Sequence, residues 1–140
     1  MPTTYILVDT DIFIWITRGK SSAAPYAPLV NGKRIVLSFT TVAELWRGAY
    51  ARGYGDESQR KLETEIALAV VVPPTNALMH EWARLTNEAR RIGHALGQNP
   101  QAHDAWVAAT ARHFELPLLT NNRRHFEGIS DLELVELSHA

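Results

Sequence analysis

The stretch YILVDTDIFIWI, Tyr5–Ile16, opens with a strand-forming run and then sets Asp9 and Asp11 two positions apart in one of the most apolar segments of the chain. Carboxylates in such company are costly, because an ion taken out of water must be paired or hydrogen bonded to be tolerated. Either these acids punctuate a boundary, with a strand ending at Val8 or Asp9 and a helix starting across TDIFIWI, or they hold a ligand. Asp11 serves as a helix cap as readily as anything else. Asp9 stands at the mouth of the strand, where a functional side chain is delivered.

Working outward, four further apolar runs follow: IVLSF (Ile35–Phe39), LAVVV (Leu68–Val72), LPLLT (Leu116–Thr120) and LELVEL (Leu132–Leu137). The first four runs of the chain are nearly continuous, as parallel strands covered on both faces are, while LELVEL alternates and suits an edge. Helical patterns lie between them. TTVAELWRGAYARG starts after Phe39 and stops near Gly53, and SQRKLETEIAL forms a second, more polar helix. TNALMHEWARLTNEARRIGHALG carries Leu78, Trp82, Leu85, Ala89, Ile92 and Leu96 on one face, with Gly97 placed to end it. NPQAHDAWVAATARHF begins with Asn99 as N-cap and Pro100 at the first helical position. SSAAPYAPLVNGK is the least patterned segment, a loop or a short helix. Strands alternating with helices predict an α/β fold, a three-layer α/β/α domain with a mostly parallel sheet of about five strands, and one domain over residues 1–140.

Composition removes several classes of function. The absence of cysteine excludes a disulfide scaffold, a thiolate zinc site and a cysteine nucleophile. Met1–Thr4 lacks the basic start of a signal peptide and no apolar run approaches the ~18 residues of a membrane span, so the expected location is cytoplasmic with no membrane contact. Fourteen basic against fifteen acidic residues leave a net charge of −1, so any nucleic-acid surface must be local. Arg90–Arg91 and Arg123–Arg124 are the pairs that could form such a rim, or they are simply solvated. No glycine-rich phosphate loop and no G-x-S-x-G elbow is present.

The acids divide by context. Thr41 and Glu44 fit an S/T-x-x-E capping box, yet Glu44 also falls in the first turn after the second run, at the carboxyl end of the sheet. Asp104 lies about a turn inside its helix, too deep to cap it, with Ala108 and Ala111 on its own side; it is either packed or a solvated-face residue. Thr120, Asn121 and Asn122 follow the fourth run and offer neutral oxygens and amides. Sites in parallel sheets lie beyond the carboxyl ends of the strands, where all of these residues sit. Oxygen-only donor sets suit magnesium or manganese. The six histidines show no zinc spacing and read as surface residues or local hydrogen bonders.

VDTDIFI, TTVAELWRGA, HDAWVAATARHFELPLLTNNRRHFEGI and the closing LELVEL resemble, in order and spacing, the PIN-domain ribonucleases, and within them the VapC-like toxins of toxin-antitoxin modules. The resemblance runs from Tyr5 to about Leu137. It implies that Asp9, Glu44 and Asp104 are metal-binding acids, that Asn122 fills a fourth catalytic position often held by aspartate, and that Thr10 and Thr120 support the site. Asp11 falls where the family usually has asparagine. The implied activity is Mg2+- or Mn2+-dependent endonucleolytic cleavage of RNA to 5'-phosphate and 3'-hydroxyl products, with Arg123 and Arg124 contacting RNA phosphates. The implied partners are the RNA substrate, a second copy of the chain in a homodimer, and a cognate VapB-like antitoxin through which operator DNA is reached. LWRGAY and HEWARL offer apolar faces for the dimer contact, and Trp15 and Trp46 either approach the cleft or pack in the core. Two other readings remain open at this point: a catalytically silent protein on the same fold, and a haloacid-dehalogenase-like phosphatase with Asp9 as nucleophile and Asp11 as acid.

Overall fold

The computed structural model describes residues 2–98 and 102–137. Strand β1 (Tyr5–Val8) leads into helix α1 (Thr10–Thr17), and after a 3₁₀ turn at Ser21–Ala23 and the short helix α2 (Ala27–Val30) the chain enters β2 (Arg34–Ser38). Helices α3 (Phe39–Ala51) and α4 (Asp56–Ala67) precede β3 (Val70–Val72), and α5 (Asn76–Arg91) and α6 (Ala102–His113) precede β4 (Leu118–Leu119). Every strand pairing is parallel and the order is β3-β2-β1-β4. The chain thus winds outward from β1 through β2 to β3 and then crosses to the other side of β1. That reversal makes the carboxyl end of β1 the topological switch point, the place where open α/β sheets leave a crevice.

Alternation along the strands assigns the two faces. Leu7, Val36, Val72 and Leu118 pack with Leu78, Leu85 and Ala89 of α5 and with Val107, Ala108 and Ala111 of α6. Ile6, Val8, Leu37 and Leu119 face Ile12, Phe13, Leu45 and Leu62 of α1, α3 and α4. Ile6, Leu7 and Val8 are all fully buried, which is why the run reads as continuous rather than alternating. The alanines of α6 let that helix lie close to the sheet.

Three local expectations change. LELVEL contributes only an isolated parallel bridge, Leu118 to Leu134, with Leu118 N–H donating to Glu133 and Val135 N–H to Leu118. The regular sheet therefore has four strands among the described residues, with the fifth run laid along its edge. Helix α3 is capped by Ser38, whose side chain accepts from Thr40 N–H, so Thr41 and Glu44 do not form its capping box and Glu44 stands in the second turn. Ser38 is the last residue of β2, and its hydroxyl captures the helix start three residues before Thr41. Helix α5 ends at Arg91, with Gly93 at φ +73° reversing the chain, rather than at Gly97. Gly97 is needed for a different reason: a Cβ there would meet the Arg90 backbone nitrogen at 2.6 Å. Asn99 and Pro100 lie outside the described residues.

Phe126 is 1% exposed and fixes the segment after β4 to the α5/α6 face. Phe126→Ala is expected to lower unfolding free energy by about 3–5 kcal/mol, read as a shifted urea midpoint at constant slope.

Candidate functional site

Asp9 is the first residue beyond β1 and the N-cap of α1, so the same carboxylate ends a strand and begins a helix. One oxygen accepts the Thr10 N–H at 2.8 Å and the other accepts the Thr120 hydroxyl at 3.0 Å. Thr120 follows β4, the neighbour of β1, and its hydroxyl accepts the Asn122 N–H at 3.0 Å. The threonine thereby passes the order of the following loop to the acid. Burial pushes the Asp9 carboxyl up, but His103, the Thr10 amide and the Thr120 hydroxyl together outweigh it and hold the group below its ordinary value of 3.8.

Glu44 reaches this point from α3. Its Oε1 accepts the Thr10 hydroxyl at 2.8 Å, and Thr10 also lies 3.3 Å from the Thr41 hydroxyl, itself fully buried. Thr10 is thus the link between the two acids, donating its amide to Asp9 and its hydroxyl to Glu44.

Helix α6 runs back against the strands and brings its first turn to the same edge. There the imidazole of His103 stands between the acids, with Nε2 3.1 Å from Glu44 Oε1 and 3.6 Å from Asp9 Oδ1. Burial pushes this imidazole down, but contact with Asp9 and the charges of Glu44, Asp9 and Asp104 leave it above its ordinary value of 6.5. Asp104, with 18% of its side chain exposed, accepts from or pairs with His125 Nδ1 at 2.9 Å. Its neighbours Ala108 and Ala111 are buried. Sequence reasoning treated His103 and His125 as bystanders; only the return of α6 and of the loop after β4 to one edge brings them onto the acids.

The other named residues are arranged around this centre. Asp11 lies exposed in the first turn of α1, where its charge favours the helix N-terminus, and its nearest side-chain partner is Asn121 Nδ2 at 3.5 Å. It is therefore not the N-cap; Asp9 is. A groove of about 370 Å³ runs past Thr120, Asn121, Asn122, Arg123, Arg124 and His125. Arg123 donates to the Val135 carbonyl at 2.6 Å, whereas Arg124 is exposed beside it. Arg90 and Arg91 occupy the last turn of α5, and Arg90 lines a separate groove with Trp82 and Ala105. Trp15 packs on Tyr26 with ring centroids 5.8 Å apart, and Trp46 joins the same core.

The chain matches the PIN domain family over residues 6–132. It is a member of that family. Ribonuclease VapC1 of Haemophilus influenzae (strain R2866) is 30% identical over 129 residues, 91% of this chain and 93% of the relative. The structure is similar to that of VapBC-1 from nontypeable Haemophilus influenzae, with a TM-score of 0.75 at 25% identity, covering 95% of this chain and 98% of the other. The fold is also that of VapBC2 from Rickettsia felis bound to a DNA fragment from their promoter, with a TM-score of 0.76 at 20% identity over 96% and 100% of the two chains. The phosphatase reading falls with this membership. No helix among the described residues is long and apolar enough to cross a membrane.

PIN-domain membership implies dependence on a divalent metal. Among the described residues no three His, Cys, Asp or Glu side chains converge closely enough to enclose an ion. The donor chemistry nevertheless fits a hard cation: Asp9, Glu44 and Asp104 supply carboxylate oxygens, and both ring nitrogens of His103 are buried without a well-formed hydrogen bond beside two of them.

Thr120→Val removes a donor to a buried carboxylate at almost constant volume and is expected to cost about 1–3 kcal/mol of stability near neutral pH. Because the Asp9 carboxyl is held below its ordinary 3.8, its contribution is present above that value and is lost as pH falls through the lower folded value. Urea midpoints of the two proteins, measured from neutral pH into acid, are expected to converge as Asp9 protonates.

Proposed function

We propose that this PIN domain is a Mg2+- or Mn2+-dependent endoribonuclease that hydrolyses RNA phosphodiesters to 5'-phosphate and 3'-hydroxyl ends, and that it is the toxin of a toxin-antitoxin pair. The observation that carries the reading is the buried Asp9 carboxylate, held at the switch point of a parallel sheet beside Glu44 by threonines on both sides. A carboxylate 6% exposed and kept ionised is retained in a fold only where a cation or donor answers it.

Asp9, Glu44 and Asp104 would hold the ion, with Asn122 adding a neutral oxygen at the fourth position. When bound, such an ion supplies Lewis-acid polarisation of the phosphate and a water of lowered pKa. The rest falls to this chain's own groups. Thr10 and Thr120 fix the carboxylate orientations before substrate arrives, and His125 sets that of Asp104. The groove beside Asn121 and Asn122 admits a single strand, where Arg124 is free to meet a phosphate while Arg123 mainly braces Val135.

The relatives extend the reading to partners. The similar proteins include Ribonuclease VapC1, a toxin-antitoxin complex from Klebsiella pneumoniae, and VapBC2 bound to a DNA fragment from its promoter. On that likeness we propose that this chain pairs with a VapB-like antitoxin that carries it to operator DNA; a homodimer is proposed beside it on the family resemblance alone.

Incubated with a structured RNA and Mn2+, the purified chain is expected to cut it, leaving ends that a 5'-phosphate-dependent exonuclease accepts. Chelation should abolish cleavage, and Asp9→Asn should reduce it at least about a hundredfold. Intact RNA with metal present, or equal cutting by Asp9→Asn, overturns the assignment and leaves a silent PIN fold.

A further inference from the structure

His103 has no part in the reading above, yet it occupies the middle of the site. Its side chain is three-quarters buried in the first turn of α6, and its Nε2 faces Glu44 Oε1 at 3.1 Å and Asp9 Oδ1 at 3.6 Å. A nitrogen aimed at two carboxylates presents hydrogen rather than a lone pair, since two lone pairs at that separation repel. On that side the ring therefore turns an N–H toward the oxygens, short of a well-formed hydrogen bond, and is no ligand. It claims the atoms that a cation would claim.

Two features make this claim provisional in the physical sense. Neither ring nitrogen has a hydrogen bond of good geometry, so the ring is held by packing rather than locked. The second carboxylate lies beyond hydrogen-bond length. At the same time the contact is useful to the metal-free protein, because Asp9 and Glu44 share Thr10 and an N–H placed between two neighbouring carboxylates, 3.1 Å from one and 3.6 Å from the other, eases their approach.

We propose that His103 is a positioning residue that stands in for the divalent cation, holding Asp9 and Glu44 together in the metal-free protein and yielding their oxygens when the ion binds. The proposal rests on the metal-dependent reading of the site. It assigns one side chain two effects of opposite sign: His103 stabilises the metal-free fold and weakens metal binding. A purely structural role would move both in the same direction, and a role as a metal ligand would make its loss weaken binding.

The test is Mn2+ binding by calorimetry at one fixed pH, with thermal unfolding in chelator alongside, on the full chain and its His103→Ala, His103→Gln and Asp9→Asn variants. His103→Ala is expected to bind Mn2+ roughly three- to tenfold more tightly while melting at lower temperature without metal. His103→Gln, whose amide still donates to the same oxygens, should fall between it and the parent and serves if the alanine variant does not fold. Unchanged or weaker binding in both histidine variants overturns the proposal while leaving the metal site standing. Absence of Mn2+ binding in the parent chain, or binding untouched by Asp9→Asn, overturns the metal-dependent reading and the proposal with it.

Discussion

A carboxylate at the end of a central parallel strand has lost most of its water, and the fold has to answer it with donors brought from elsewhere in the chain. Asp9 is answered by two hydrogen bonds, from the amide of the helix it caps and from a hydroxyl at the end of the adjacent strand, and by an imidazole of α6 that stands 3.6 Å away. Each answer recruits a different element. The cap fixes the angle of α1 against β1, Thr120 fixes the end of β4, and His103 brings the first turn of α6 to the same edge. Placing β1 between β2 and β4 makes these donors available, because only a strand flanked on both sides has neighbours whose carboxyl ends can reach its own.

The second acid follows from the first. Thr10 lies one residue beyond Asp9 and offers its hydroxyl away from the cap, toward α3, where Glu44 accepts it. Glu44 therefore needs no cap role to explain it; Ser38 already performs that task. Asp104 is tied in less directly, through its chain neighbour His103 and through His125. The result is an edge where carboxylates are oriented by neutral hydroxyls, with imidazoles standing beside them.

Much of this was legible in the residues themselves. Uninterrupted apolar runs at Tyr5–Val8 and Ile35–Phe39 suit strands covered on both faces, and the structure buries Ile6, Leu7, Val8, Val36 and Leu37, while Tyr5 at the start of β1 stays 41% exposed. The family resemblance likewise agrees with the PIN-domain match over residues 6–132. What escaped was set by geometry between distant segments. Thr41 and Glu44 satisfy a local capping pattern, but the end of β2 at Ser38 decides where the helix starts. Gly97 looks like a helix stop, yet Gly93 supplies the left-handed residue and Gly97 is required by close approach to Arg90. His103 carries no spacing signal, since its partners at Asp9 and Glu44 are brought to it by the crossover that returns α6 against the sheet.

If the carboxylates at the end of β1 form a cation site, anomalous X-ray diffraction from crystals soaked in Mn2+ is expected to show a manganese peak about 2.0–2.3 Å from an Asp9 oxygen, with Glu44 and Asp104 bound to the ion directly or through its waters, and the His103 ring moved off the Glu44 carboxylate. A peak bound elsewhere on the chain, or none while Asp9 remains clasped by Thr10, Thr120 and His103, would contradict it.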